Sequence, residues 1–260
     1  MLPPPASTGR LRRWSAHAAL LAATLGTWEI VAARAQTLLF PTATDTGLAL
    51  WRLAGSSELW SAIWISNQAL LIGFPLAAVA GVLLGLSLGH WPGLNRWLGV
   101  HLNILLVTPK SALMPLILMA FGFGLGTRAA IVAAFAFPVI AVTARAGVES
   151  VDPRLIQMAR AFGATRAVLW RHVLLPGALP GIITALRLGL ARGISGMVAV
   201  ELLLVAVGVG RLILTYQADF DAPAIYATIL VVAAEAVILM RVARAVTRRR
   251  EAWGDEVAFG

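Results

Sequence analysis

No cysteine occurs in this chain. Disulfides, zinc–cysteine centres and iron–sulfur clusters are thereby excluded. Lysine is almost as scarce: Lys110 stands alone, and the other 20 of the 21 basic residues are arginine. Charge as a whole is thin. Charged residues make up 13% of the 260, about half the share that soluble domains carry, while 59% are hydrophobic. Missing too is any G-x-x-x-x-G-K-[ST] phosphate loop. Lys110 is flanked by proline and serine, so the sequence offers no ATP-hydrolysing site of its own. His90, His101 and His172 fall at no ligand spacing, and no metal site is expected.

What is present is apolar sequence in long runs, several reaching the roughly 18 residues that a membrane span needs. The chain reads as an all-α polytopic membrane protein with six transmembrane helices. They are expected at about 16–33, 62–89, 98–121, 129–144, 181–205 and 225–240. The third is interrupted by Pro109 and Pro115, and GFGLGT (122–127) is a tight turn. The first run could be a cleaved signal peptide, with Ala33-Arg34-Ala35 as the site. Its length and its Trp28-Glu29 pair favour a retained span. The loop at 34–61 holds turn formers and room for one short surface helix. Asp45, Asp219 and Asp221 read as solvated loop charges. The organisation is a tail at 1–15, a transmembrane domain at 16–246 and a tail at 247–260.

The net charge of +9 is distributed by side. With six spans, fourteen arginines fall on the face shared by both termini and a polar insert at about 150–176. Four (Arg34, Arg52, Arg128 and Arg211) fall on the other. The bias predicts cytoplasmic termini and a cytoplasmic insert. It also removes nucleic acid as a partner, because the basic charge is topological and not a patch.

The insert has its own punctuation. Asp152-Pro153 is a capping carboxylate followed by proline at the first helical position. Leu155, Met158/Ala159 and Phe162 then repeat at helical spacing as one apolar stripe. Gly163 suits a left-handed helix end, Thr165 can cap a second helix, and Pro176 is expected to break or kink the chain at the membrane. Two readings fit: a rigid knob that passes a push from a soluble partner into the membrane, or an amphipathic hairpin in the lipid headgroups.

The spacing resembles the EAA loop of ABC-importer permeases: E-A-A, three residues, G, nine residues, I, one residue, L-P. Gln157, Met158 and Ala159 stand at the E-A-A positions, Gly163 at the glycine, Val173 at the isoleucine, and Leu175-Pro176 close the pattern. Gln157 replaces the usual Glu and Met158 the usual first Ala. Segments such as LLFPTATDTGLAL (38–50), TPKSALMPLILMAFGFG (108–124) and GALPGIITALRLGLARG (177–193) are similar to the nitrate, sulfonate and taurine branch, and the likeness runs over about 25–250.

The resemblance implies a type I ABC-importer permease core with a cytoplasmic coupling helix in the bacterial inner membrane. It implies coupling to ATPase subunits through Gln157, Met158, Ala159, Phe162, Gly163, Val173, Leu175 and Pro176. Two such subunits are expected, with ATP and Mg bound on them and no cofactor in this chain. A second permease copy, making a homodimer, and a periplasmic or lipid-anchored substrate-binding protein complete the assembly. The substrate expected is a small anionic or organic solute. For its path the candidates are the ionisable residues within spans: Lys110, Arg187, Arg192 and Glu201. Interhelical pairing, such as Arg187 with Glu201 or Glu235, is the other reading of the same residues. An ion-gradient-driven transporter and a membrane scaffold are the alternative functions.

Overall fold

The computed structural model describes residues 7–35, 37–203 and 206–257, with their side chains between 15 and 245 except that of His17. Residues 1–6 and 258–260 of the expected tails lie outside that description, as do the side chains of Arg10, Arg12, Arg13 and Arg248, Arg249 and Arg250.

Every regular element described is helical. The order is α1 (Ser7–Ala35), α2 (Ala43–Ala54), α3 (Ser57–His90), α4 (Pro92–Val107), α5 (Lys110–Phe121), α6 (Leu125–Glu149), α7 (Pro153–Ala161), α8 (Arg166–Leu169), a π turn (Trp170–Leu174), α9 (Leu175–Leu203), α10 (Gly208–Ala218) and α11 (Ala222–Val257). Five helices are long and apolar enough to cross a membrane, and α4 with α5 makes a sixth if the bent pair is one broken span. The expected spans thus recur as helices, with residues 204 and 205 of the fifth lying outside the described residues. α10 is an additional helix where the sequence suggested only a loop.

The break in the third span is local and steric. Pro109 forces the residue before it out of the α region, and Thr108 takes extended angles (φ −61°, ψ 129°). The two halves meet there at 95°. Pro115 was expected to interrupt the span as well, but it sits within α5. A helix interior can absorb a proline when neighbouring helices or local adjustments take up the freed backbone groups.

The chain divides into two compact units. The first takes in residues up to 60 together with 212–231. Here the Trp28 indole N–H donates to the Pro41 carbonyl at 3.0 Å, and the Glu29 carboxylate accepts from the Thr44 N–H and hydroxyl, both at 3.0 Å. The Trp28-Glu29 pair therefore pins α2 to α1. Asp221 is not a solvated loop charge: it pairs with Arg52 at 3.1 Å and accepts the Ala224 N–H at 3.1 Å at the start of α11.

The second unit takes in 61–211 and the chain from 232 onward. α6 and α9 share its most extensive helix pairing. Small residues permit the approach. A Cβ added at Gly181 would meet the Gly147 Cα at 2.5 Å, and between α3 and α6 one at Gly85 would meet the Ala141 carbonyl oxygen at 2.5 Å. Where lipid and side chains are equally apolar, helices associate through such close backbone contact.

Candidate functional site

The insert is held by backbone chemistry at each corner. Asp152 accepts the Arg154 N–H at 2.8 Å, with Pro153 at the first helical position. At the far end Gly163 adopts φ +76°, and the Ala164 N–H reaches back to the Ala159 carbonyl at 3.0 Å. This satisfies carbonyls that the helix end would leave open. Thr165 then accepts the Val168 N–H at 3.4 Å and starts α8.

The apolar stripe expected along α7 is divided between two faces. Ile156 and Ala159 turn inward onto Val148, Val151, Leu169 and Leu174. Leu155, Met158 and Phe162 point away and keep 47%, 53% and 85% of their surface exposed. Gln157 is exposed beside them. A capped, anchored helix thus presents three large apolar side chains.

Pro176 does not break the chain. The π turn passes directly into α9, with the Leu175 N–H bonding to the Trp170 carbonyl five residues back. In a regular helix the Pro176 ring would strike the carbonyl four residues earlier. The wider turn just before it relieves that clash. Val173 packs into the cluster beneath α7, while Leu175 and Pro176 are exposed. The insert and α9 are therefore one continuous rod from Arg166 to Leu203.

The four ionisable span residues separate into three places. Lys110 and Arg192 line one cavity of about 530 Å³, together with Ser111, Phe135, Val139 and Leu188. Lys110 Nζ makes one long contact to the Leu106 carbonyl at 3.5 Å and lies 6.0 Å from the Phe135 ring centre. Arg187 opens instead into a different cavity of about 420 Å³, beside Phe74, Pro75 and Leu190. Five residues along a helix turn the direction by roughly 140°, so Arg187 and Arg192 cannot share a face.

Glu201 lies elsewhere again and is fully buried. It accepts the Ser66 hydroxyl at 2.7 Å and the Gly210 N–H at 3.3 Å, and Arg128 stands 3.7 Å away. Arg128 also donates to the Ile65 carbonyl at 3.4 Å, and Ser66 accepts the Val209 N–H at 3.0 Å. Glu201 does pair between helices, but with an arginine other than the one suggested. Arg128, assigned to an outer loop, is the cation that faces Glu201, and the Asn67 amide donates to Glu235. Gly208 (φ +58°) closes the network because a Cβ there would fall 2.2 Å from the Ser66 hydroxyl oxygen. Ser66 and Arg128 escaped the sequence reading. The signal available was an arginine placed immediately before an apolar run, together with the Gly-Val-Gly at 208–210.

The chain is similar to known proteins. The family described as binding-protein-dependent transport system inner membrane component matches residues 56–252. The taurine transport system permease protein TauC of Escherichia coli (strain K12) is 33% identical over 202 residues, 77% of this chain and 73% of that protein. The putative aliphatic sulfonates transport permease protein SsuC of the same organism is 29% identical over 180 residues, 68% of this chain and 67% of that one. Among solved structures, the MetNI methionine ABC transporter in an inward-facing conformation aligns with a TM-score of 0.58 at 22% identity. That alignment covers 74% of this chain and 94% of the other. At that identity the likeness is one of fold: the helical core is that of type I ABC-importer permeases.

Proposed function

The chain belongs to the binding-protein-dependent transport inner-membrane family, a transport component and not an enzyme, and from that premise we propose how it works. Two copies form a path for a small anionic or organic solute such as a sulfonate, taurine or nitrate. Two separate ABC ATPase subunits, carrying ATP and Mg, drive it through residues 157–176. A periplasmic or lipid-anchored binding protein delivers the solute to the outer face. Both termini and the insert face the cytoplasm, where the arginine bias puts them.

One observation carries the coupling: Leu155, Met158 and Phe162 stand exposed on a helix whose ends are capped and whose other face is anchored. Clustered apolar side chains on a rigid support are what a partner cleft can grip. The rod from Arg166 to Leu203 carries displacement of that knob into the membrane. Lying in headgroups, the same helix would have no use for a rigid connection.

The test is co-purification with the ATPase and ATP-driven uptake in proteoliposomes that hold all subunits. Replacing Leu155 and Phe162 together by Ser should abolish both while the chain still folds and inserts. Retained association and uptake would overturn the assignment, as would uptake that needs an ion gradient and no ATP.

A further inference from the structure

Resting on the transport reading above, we propose that the Lys110–Arg192 cavity is a transit site for a small organic monoanion. It takes a simple alkanesulfonate and turns away the zwitterion that differs only by an added ammonium. Two cations line the cavity and no carboxylate does. Among the described residues neither Lys110 nor Arg192 enters an ion pair. Both cations line the one cavity, and no acidic side chain among its lining offsets them.

Depth makes that charge informative. Lys110 sits at the break between α4 and α5, and Arg192 lies 17 residues into α9, roughly 26 Å from its start. A cation so far from either helix end is costly against hydrocarbon, and such residues face a water-filled path or a partner. The remaining chemistry suits an oxyanion. Arg192 offers a planar fork of donors, and Lys110 has donors beyond its single 3.5 Å contact. The Ser111 hydroxyl lines the same cavity. Thr108, by contrast, spends its hydroxyl proton on the Ile104 carbonyl at 2.7 Å.

Phe135, Val139 and Leu188 supply an apolar wall for a short carbon body. Taurine carries its ammonium two carbons from the sulfonate. With the sulfonate between Lys110 and Arg192, that ammonium lies within a few ångströms of two like charges, and no acid is present to receive it. Ethanesulfonate has the same shape without the ammonium.

The absence of cysteine supplies a clean test. In the full-length chain in lipid nanodiscs, Ser111→Cys is the sole thiol. Its reaction with a sulfonate-bearing methanethiosulfonate should exceed that with the trimethylammonium reagent by about tenfold or more, each rate normalised to a free thiol in solution. Lys110→Gln with Arg192→Gln should erase the preference, while Lys110→Arg with Arg192→Lys, which keeps both charges and the fold, should retain it. Ethanesulfonate should slow the reaction more than taurine at equal concentration. The proposal fails if the anionic reagent has no advantage, if the advantage survives the double Gln change, or if taurine protects as well as ethanesulfonate. Failure of the transport reading appears in the ATP-driven uptake assay and leaves these thiol rates unchanged.

Discussion

Just ahead of the rod that includes α9, Phe162 leaves 85% of its surface open; near the rod's far end Glu201 leaves none. The first end exposes apolar side chains that a folded protein would ordinarily cover. The second covers charges that it would ordinarily leave in water. Each departure is supported by its surroundings. Asp152, Gly163 and Thr165 fix the exposed helix so that its apolar face is a shape and not a fluctuating patch. Ser66, Gly210 and Arg128 meet the buried carboxylate so that burial is tolerated. An apolar surface held open costs the isolated chain and favours a partner. A charge held closed favours one internal arrangement.

The contrast is easiest to break at the buried end. Glu201→Ala leaves Arg128 uncompensated and should cost about 3–5 kcal/mol, read as a lower unfolding temperature in detergent. Adding Arg128→Met to that variant should recover much of the loss, and no recovery would show that the pair is not the reason for burial. The exposed end should behave oppositely. Phe162→Ala should weaken ATPase association by about 2 kcal/mol or more while leaving thermal stability within about 0.5 kcal/mol. A stability loss equal to that at Glu201 would mean the stripe is core after all. Gly163→Ala places a side chain at φ +76° and should cost roughly 1–2 kcal/mol, seen as weakened docking together with faster amide exchange across α7. Asp152→Ala removes one cap and should cost about 1 kcal/mol, confined to exchange of the first α7 amides.

What the sequence made legible follows the range of the forces involved. Helix positions came from apolar runs, and the corners of the insert from Asp152, Gly163 and Thr165, because capping acts within three or four residues. Pro109 was legible as a break because it dictates the angles of Thr108. Pro115 was misread because a proline inside an apolar run does not by itself show whether the helix continues through it. Arg128 and Glu201 are 73 residues apart, and Lys110 and Arg192 are 82 apart. Whether such residues face each other depends on the rotation of whole helices, which no local pattern encodes. The π turn is invisible for a related reason: it answers a clash between Pro176 and its own preceding turn, and the sequence shows the proline but not where the slack is taken.

That π turn also sets a timing between two parts of the molecule. A π turn accommodates about one residue more than an α turn, so it introduces a phase slip of nearly 100° between what lies before Trp170 and what lies after Leu174. The knob and the shaft are keyed to each other at a fixed angle. Where Arg192 points is therefore decided in part at residues 170–174, as the cut of a gear decides the hour at which a distant hand arrives.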